Sequence, residues 1–186
     1  MCRKIELEYK FLLSKNDFER VHNLVRMAFE FMTQKVQINY YYDTRENDFN
    51  RRNETVRIRQ QGEKLVLQRK RHHNKAELLN ISDEEKVLIN ELPRKLYFAD
   101  TDKSLLFKGE MVTQRTNYHF KDSGIISFDF NMFLGTCDYE IEIEIEDSEI
   151  NEAQKIVDEF GLNLYCSESK SRRFFRRLEE MGFGKD

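Results

Sequence analysis

Glu6, Glu8 and Lys10 stand two residues apart in Ile5-Glu6-Leu7-Glu8-Tyr9-Lys10-Phe11, and Glu140, Glu142, Glu144 and Glu146 repeat that spacing in Tyr139-Glu140-Ile141-Glu142-Ile143-Glu144-Ile145-Glu146. A period of two is that of a β-strand, whose side chains alternate between faces. Each run therefore collects its charges on one face and its apolar residues on the other. A third run, Thr55-Val56-Arg57-Ile58-Arg59-Gln60, alternates in the same way but carries Arg57 and Arg59 on its polar face. In Leu65-Val66-Leu67-Gln68-Arg69-Lys70, Lys70 shares a face with Gln68, and Arg115 and Asp129 lie on two later strand faces. Paired carboxylates suit hard divalent cations, whereas guanidinium and ammonium groups suit phosphate oxygens. Brought together, the two sets form a site for a polyanion carried with divalent cations. Left apart, they form antiparallel strands with a solvated charged face.

The elements that must position these residues follow from the rest of the pattern. Ser14 with Asp17 three residues on resembles a helix start, and Phe18, Val21, Leu24, Val25 and Phe29 recur at helical spacing, which predicts a helix over residues 15–31. Strands are expected over 34–43, around Arg57, around Lys70, and over 109–121, 124–133 and 137–146. Gln61-Gly62-Glu63, Asp122-Ser123-Gly124 and Leu134-Gly135-Thr136 supply turns. Ser82-Asp83-Glu84-Glu85 reads as a capping box opening a short helix to Asn90, followed by a loop with the single proline, Pro93. Further helices are expected near 101–106, over 148–160 and over 167–180.

The whole is one domain over residues 1–186, with enough apolar content, 39%, for a real core. A formal net charge of −3 argues against a broad nucleic-acid surface. Three cysteines, Cys2, Cys137 and Cys166, show no metal spacing and no pairing number, which fits a reducing compartment. No apolar run nears the roughly 20 residues of a membrane span, so the expectation is a cytoplasmic protein with no membrane or nucleic-acid partner. His22, His72, His73 and His119 lack a mutual ligand spacing and read as ordinary helix or loop residues. The fold class expected is α+β, mainly β: a closed antiparallel barrel with helices outside. Its lumen would hold Glu6, Glu8, Lys10, Arg57, Arg59, Lys70, Arg115 and Glu142, with Ile5, Leu7, Ile58 and Ile141 facing outward.

Glu6-Leu7-Glu8-Tyr9-Lys10 resembles the Glu-x-Glu-x-Lys hallmark of the CYTH superfamily, the triphosphate tunnel metalloenzymes. Tyr41-Tyr42-Asp43-Thr44, Arg57-Ile58-Arg59, Leu67-Gln68-Arg69-Lys70, Arg115, Asp129, Leu134-Gly135, Glu140-Ile141-Glu142 and Lys170-Ser171-Arg172-Arg173-Phe174 follow in that family's order. The likeness is to the compact bacterial branch often labelled as adenylate cyclases. It departs from the pattern at Gln68, where the family often has Thr, and at Thr113, where a Lys can precede the strand arginine.

The resemblance implies an eight-stranded antiparallel tunnel binding a triphosphate with Mg²⁺ or Mn²⁺, as two ions. Glu6, Glu8, Glu140 and Glu142 would carry metal, with Asp129 and Glu144 as further ligands. A solvated strand end is the alternative for Glu144 and Glu146. Lys10, Arg57, Arg59, Lys70, Arg115 and Lys170 would grip phosphates. Arg172 and Arg173 fall on a helix surface, and Tyr41 either lines the tunnel or packs. Lys10, Glu6 and Glu142 would be catalytic in the hydrolysis of inorganic triphosphate or a related short triphosphate, by a monomer or homodimer. The alternatives are adenylate cyclase, thiamine triphosphatase, which the lack of tryptophan disfavours, and a module that binds polyphosphate or nucleotides without turnover.

Overall fold

The computed structural model describes residues 2–73, 79–162 and 168–182. Ser167, where the last helix was expected to begin, and Cys166 lie outside them. In chain order the elements are β1 (Cys2–Leu13), α1 (Lys15–Ala28), β2 (Phe31–Asp43), α2 (Asp48–Arg51), β3 (Glu54–Gln61), β4 (Lys64–His72) and β5 (Leu79–Ile89). There follow β6 (Lys95–Leu96), β7 (Leu105–Phe120), β8 (Gly124–Phe133), β9 (Thr136–Ile145), α3 (Ile150–Glu159) and α4 (Lys170–Glu180). The strand order β2-β3-β4-β5-β1-β9-β8-β7 is closed by pairing of β2 with β7, giving an eight-stranded antiparallel barrel, with the two-residue β6 added beside β7.

Alternation decides which way each strand faces. Tyr9 and Phe11 of β1 and Ile141 and Ile143 of β9 point outward, where they pack with Tyr118, Phe120, Ile126 and Phe128 under Val21 and Val25 of α1 and Ala153 and Val157 of α3. The main core therefore lies outside the barrel, between sheet and helices. Burying each of those larger side chains contributes on the order of 1.5–3 kcal/mol. A second outer cluster gathers Tyr42, Phe49, Val56, Ile58 and Leu105, with Leu96 and Phe98 packed against it. Ile5, outward as expected, is 63% exposed.

A third cluster differs in kind. Tyr41, Met111 and Phe133 occupy barrel positions, and Phe174, Phe175 and Leu178 of α4 pack onto them. The Tyr41 and Phe174 ring centroids are 4.6 Å apart. Helix α4 thus sits as an apolar plug against one end of the barrel. Gly109 admits the plug: its φ is +139°, and a Cβ there would lie 2.9 Å from Phe174 Cζ.

Four expectations about elements are corrected. Residues 82–90 do not form a helix, because Ser82-Asp83-Glu84-Glu85 lies within β5, laid between β1 and β4 with Glu84 opposite both Lys4 and Lys70. Cross-strand partners of opposite charge outweigh the local capping signal. Residues 101–104 make a turn, with the Lys103 N–H donating to Thr101 Oγ1, before β7 begins at Leu105. Helix α1 stops at Ala28 rather than 31, because Phe31 already pairs with Tyr118 as the start of β2. The Ser14 cap itself is present, accepting from the Asp17 N–H at 3.2 Å. His72 and His119 belong to strands rather than loops.

Candidate active site

The inward faces bring the segregated charges together. One cavity is lined by Glu6, Glu8, Lys10, Arg57, Arg59, Lys70, Arg115, Glu142, Glu144 and Lys170 among the residues singled out from sequence. Asp129 and Glu140 lie behind its wall, both wholly buried.

The β1 acids are held by Lys70 of β4 and by Lys10 of β1 itself, which also reaches Glu142 of β9. Lys70 Nζ lies 2.7 Å from both Glu6 Oε2 and Glu8 Oε1, and Lys10 Nζ lies 3.0 Å from Glu8 Oε2 and 2.8 Å from Glu142 Oε1. Burial pushes the Glu8 carboxyl up, but Lys10 and Lys70 outweigh it and leave Glu8 below the usual carboxylate range. Lys10 shows the converse: burial works against its charge, yet Glu142 and Glu8 hold it protonated. A protonated Lys10 is a donor to phosphate or water and not a base.

A second set of acids joins β8, β9 and α4. Arg115 Nε lies 2.7 Å from Asp129 Oδ1, and its guanidinium also contacts Glu142. Lys170, the first residue of α4, reaches Asp129, Glu140 and Glu142. Arg173 corrects the sequence reading: it is buried, not on the helix surface, and pairs with Glu140 and Asp138 at 2.8 Å. Its spacing three residues after Lys170 and beside Phe174 on one helix was the available signal. Arg172 is exposed as expected. Glu144 sits at the rim, partly exposed and paired with Lys4, and Glu146 lies beyond the end of β9.

Two further residues of this lumen, Glu84 and Lys86, were missed because β5 was read as helical. Lys86 Nζ lies 2.6 Å from Glu84 Oε2 and 3.5 Å from Glu6 Oε1. Burial and the neighbouring Glu6 carboxyl raise Glu84 above the usual range. His72 also lines the cavity, bonded to Thr55 Oγ1. Burial and then Lys70, Lys10 and Arg57 push it down to about 3, so it is a neutral imidazole. Its place two residues after Lys70 on one strand was the available signal.

Among the described residues, the arginines of β3 have neutral amides rather than carboxylates as their hydrogen-bond partners. Arg57 Nε donates to Gln68 Oε1 at 2.7 Å and stands 4.0 Å from Glu84, so Gln68 orients this guanidinium. Arg59 donates to Asn39 Oδ1 at 3.1 Å. Burial, Arg57 and Arg115 together push Arg59 down to about 9. A guanidinium keeps its proton, so such crowding is relieved by an anion. Lys35, opposite Arg115 on β2, is lowered by burial and by Arg115 and Arg59.

The donor set also fits a metal. Asp129, Glu140 and Glu142 each offer an oxygen, and these oxygens lie within 4.8 Å of one another. Glu140 Oε1 is buried with no hydrogen-bond partner. An all-oxygen set suits Mg²⁺ or Mn²⁺ rather than zinc.

The family model for the CYTH domain matches residues 4–175. The chain belongs to the CYTH family. Among solved CYTH-like structures, a proposed adenylate cyclase from Bacillus halodurans aligns with a TM-score of 0.72 at 23% identity, over 94% of this chain and 100% of that one. A proposed adenylyl cyclase from Hippeastrum, described as having a dominant triphosphatase activity, gives 0.72 at 20% identity over 92% and 95%. The PH1819 protein of Pyrococcus horikoshii gives 0.62 at 25% identity over 95% and 99%. None of the curated proteins compared with this CYTH chain matches its sequence. No helix among the described residues is long and apolar enough to cross a membrane.

Proposed function

We propose that this CYTH protein is a metal-dependent triphosphatase acting on inorganic triphosphate or a related short triphosphate. The observation that carries the reading is Arg59, half-buried beside Arg57 and Arg115 with a neutral asparagine as its hydrogen-bond partner. Converging guanidinium groups of this kind bind the oxygens of a phosphate chain. Pure anion capture would be served by bases alone, whereas here Glu6, Glu8, Glu84, Asp129, Glu140 and Glu142 share the same lumen or its wall.

In this reading Arg57, Arg59, Lys70 and Arg115 fix the phosphate chain, and Gln68 keeps Arg57 aimed. Protonated Lys10, held between Glu8 and Glu142, donates to the phosphoryl group under attack. Water oxygen bonds to the terminal phosphorus while the bridging oxygen leaves with the diphosphate. Glu6 and Glu8, with Glu140 and Glu142, would hold the ions, which supply positive charge to the phosphate oxygens when bound. Asp129 and Glu84 complete that oxygen set.

Adenylate cyclase is the second reading, favoured by one feature. A side pocket lined by Asn53, His73, Asn80 and Arg172 shares His72 and Ser169 with the lumen, and could seat a group attached to the phosphate chain. A panel of inorganic triphosphate, ATP and thiamine triphosphate, assayed with Mg²⁺ or Mn²⁺ and with a chelator, separates these readings. Orthophosphate release from triphosphate that stops in chelator supports the hydrolase. Cyclic AMP with pyrophosphate supports the cyclase, and binding without turnover of any of them would overturn both.

A further inference from the structure

The oxygens of Asp129, Glu140 and Glu142 that could share one cation already have one beside them. Lys170 Nζ lies 2.8 Å from Asp129 Oδ2, 2.5 Å from Glu140 Oε2 and 2.9 Å from Glu142 Oε1. The ammonium hydrogen-bonds to Glu142 and is ion-paired with Asp129 and Glu140, and Glu140 Oε1 still has no hydrogen-bond partner although buried. The oxygen set therefore offers more than an ammonium uses, as expected of a site shaped for a larger number of contacts. The acids belong to β8 and β9, whereas the lysine is lent by α4.

Charge makes the two occupants exclusive. Arg115 also contacts Asp129 and Glu142, and Arg173 contacts Glu140, so these carboxylates are already compensated. A divalent ion added with Lys170 in place would set like charges a few ångströms apart in a buried site, where their repulsion is little screened. Lys170 is the first residue of α4, and its stem is flexible, so the ammonium can leave by side-chain rotation while Phe174 and Phe175 keep the helix seated.

We propose that Lys170 is a tethered competitor for the metal, occupying the Asp129–Glu140–Glu142 site until its ammonium is drawn to another anion. The proposal rests on the triphosphatase reading only for the nature of that anion, the phosphate chain. Cation entry and phosphate entry are then linked through one side chain.

Mn²⁺ alone, titrated into the full chain without triphosphate and followed by electron paramagnetic resonance and calorimetry, tests this. Lys170→Met and Lys170→Gln should each bind Mn²⁺ about tenfold or more tightly than the wild type. Arg59→Met, which removes a lumen cation that does not touch the cluster, should stay within about threefold. Equal or weaker Mn²⁺ binding by the folded Lys170 variants, or an equal gain in Arg59→Met, overturns the proposal. A variant-free measurement guards against misfolding: reductive methylation of the wild-type chain should label Lys170 faster at saturating Mg²⁺, and unchanged labelling overturns the proposal. Turnover is scored separately. A chain that hydrolyses triphosphate without the Mn²⁺ gain loses this competitor and keeps its function, and one with the gain but no turnover does the reverse.

Discussion

Arg59 is where the anion reading is most exposed to test. Arg59→Ala should raise the Kd for triphosphate about tenfold or more, the loss of one or two charge-assisted hydrogen bonds worth about 1.5–3 kcal/mol each. Its thermal midpoint should hold or rise, because Arg57 and Arg115 lose a like-charged neighbour. Unchanged affinity by calorimetry would remove Arg59 from the site. The acids should divide by their surroundings. Glu142→Gln leaves Lys10, Lys170 and Arg115 short of a buried partner and should cost about 3 kcal/mol in urea unfolding. Glu84→Gln, at a position where the fold disfavours the charged form, should be neutral or stabilising at pH 7. If both variants lose equal stability, the distinction fails. Lumen residues on β1, β3, β4 and β9 were legible from sequence because an apolar row marks the other face of each strand. Lys35 and Arg173 were not, since Lys35 shares its strand face with the neutral Gln37 and Asn39, and Arg173 stands among exposed bases on its helix.

At the scale of elements, α4 couples the plug to the charged interior. Phe174→Ala should cost about 3–5 kcal/mol, as for other large-to-small changes in packed clusters. Gly109→Ala should also destabilise, by about 1–3 kcal/mol, since the added methyl meets Phe174 on a backbone with φ of +139°. Urea midpoints for both variants check this, and an unaffected Gly109→Ala would mean that the plug does not depend on that close approach. Strand β5 shows why part of the architecture was hidden. Ser82 and Glu84 face the lumen while Asp83 and Glu85 face out, so the apolar row of Leu79, Ile81, Val87 and Ile89 is interrupted in the middle of the strand, where both faces are polar. Locally the segment looks like a helix cap. Only β1 and β4, contributing partners from about 80 and 15 residues away respectively, make it a strand.

For the molecule as a whole, acid should undo the fold. Glu8, Glu140 and Glu142 are held below the ordinary value of 4.5, so they stabilise the folded state above that pH and the contribution is lost as pH falls through their lower folded values. Urea midpoints measured from pH 7 to pH 3 should decline once pH passes below about 4.5, and a flat profile would contradict the lumen ion pairs. The barrel's connectivity has a consequence for how the chain is made. Strand β1 is made before the other strands of the barrel, yet its neighbours are β5 and β9, and closure waits for β2 to meet β7. Such distant pairings fold slowly, leaving an open sheet for a time. In an ordinary barrel that waiting sheet would show neighbouring chains an oily inner surface. Here the surface awaiting closure is lined with glutamate, lysine and arginine, so the residues that await a ligand in the finished protein also keep that face of the nascent sheet from sticking to its neighbours, and only the outer face depends on α1 and α3 for cover.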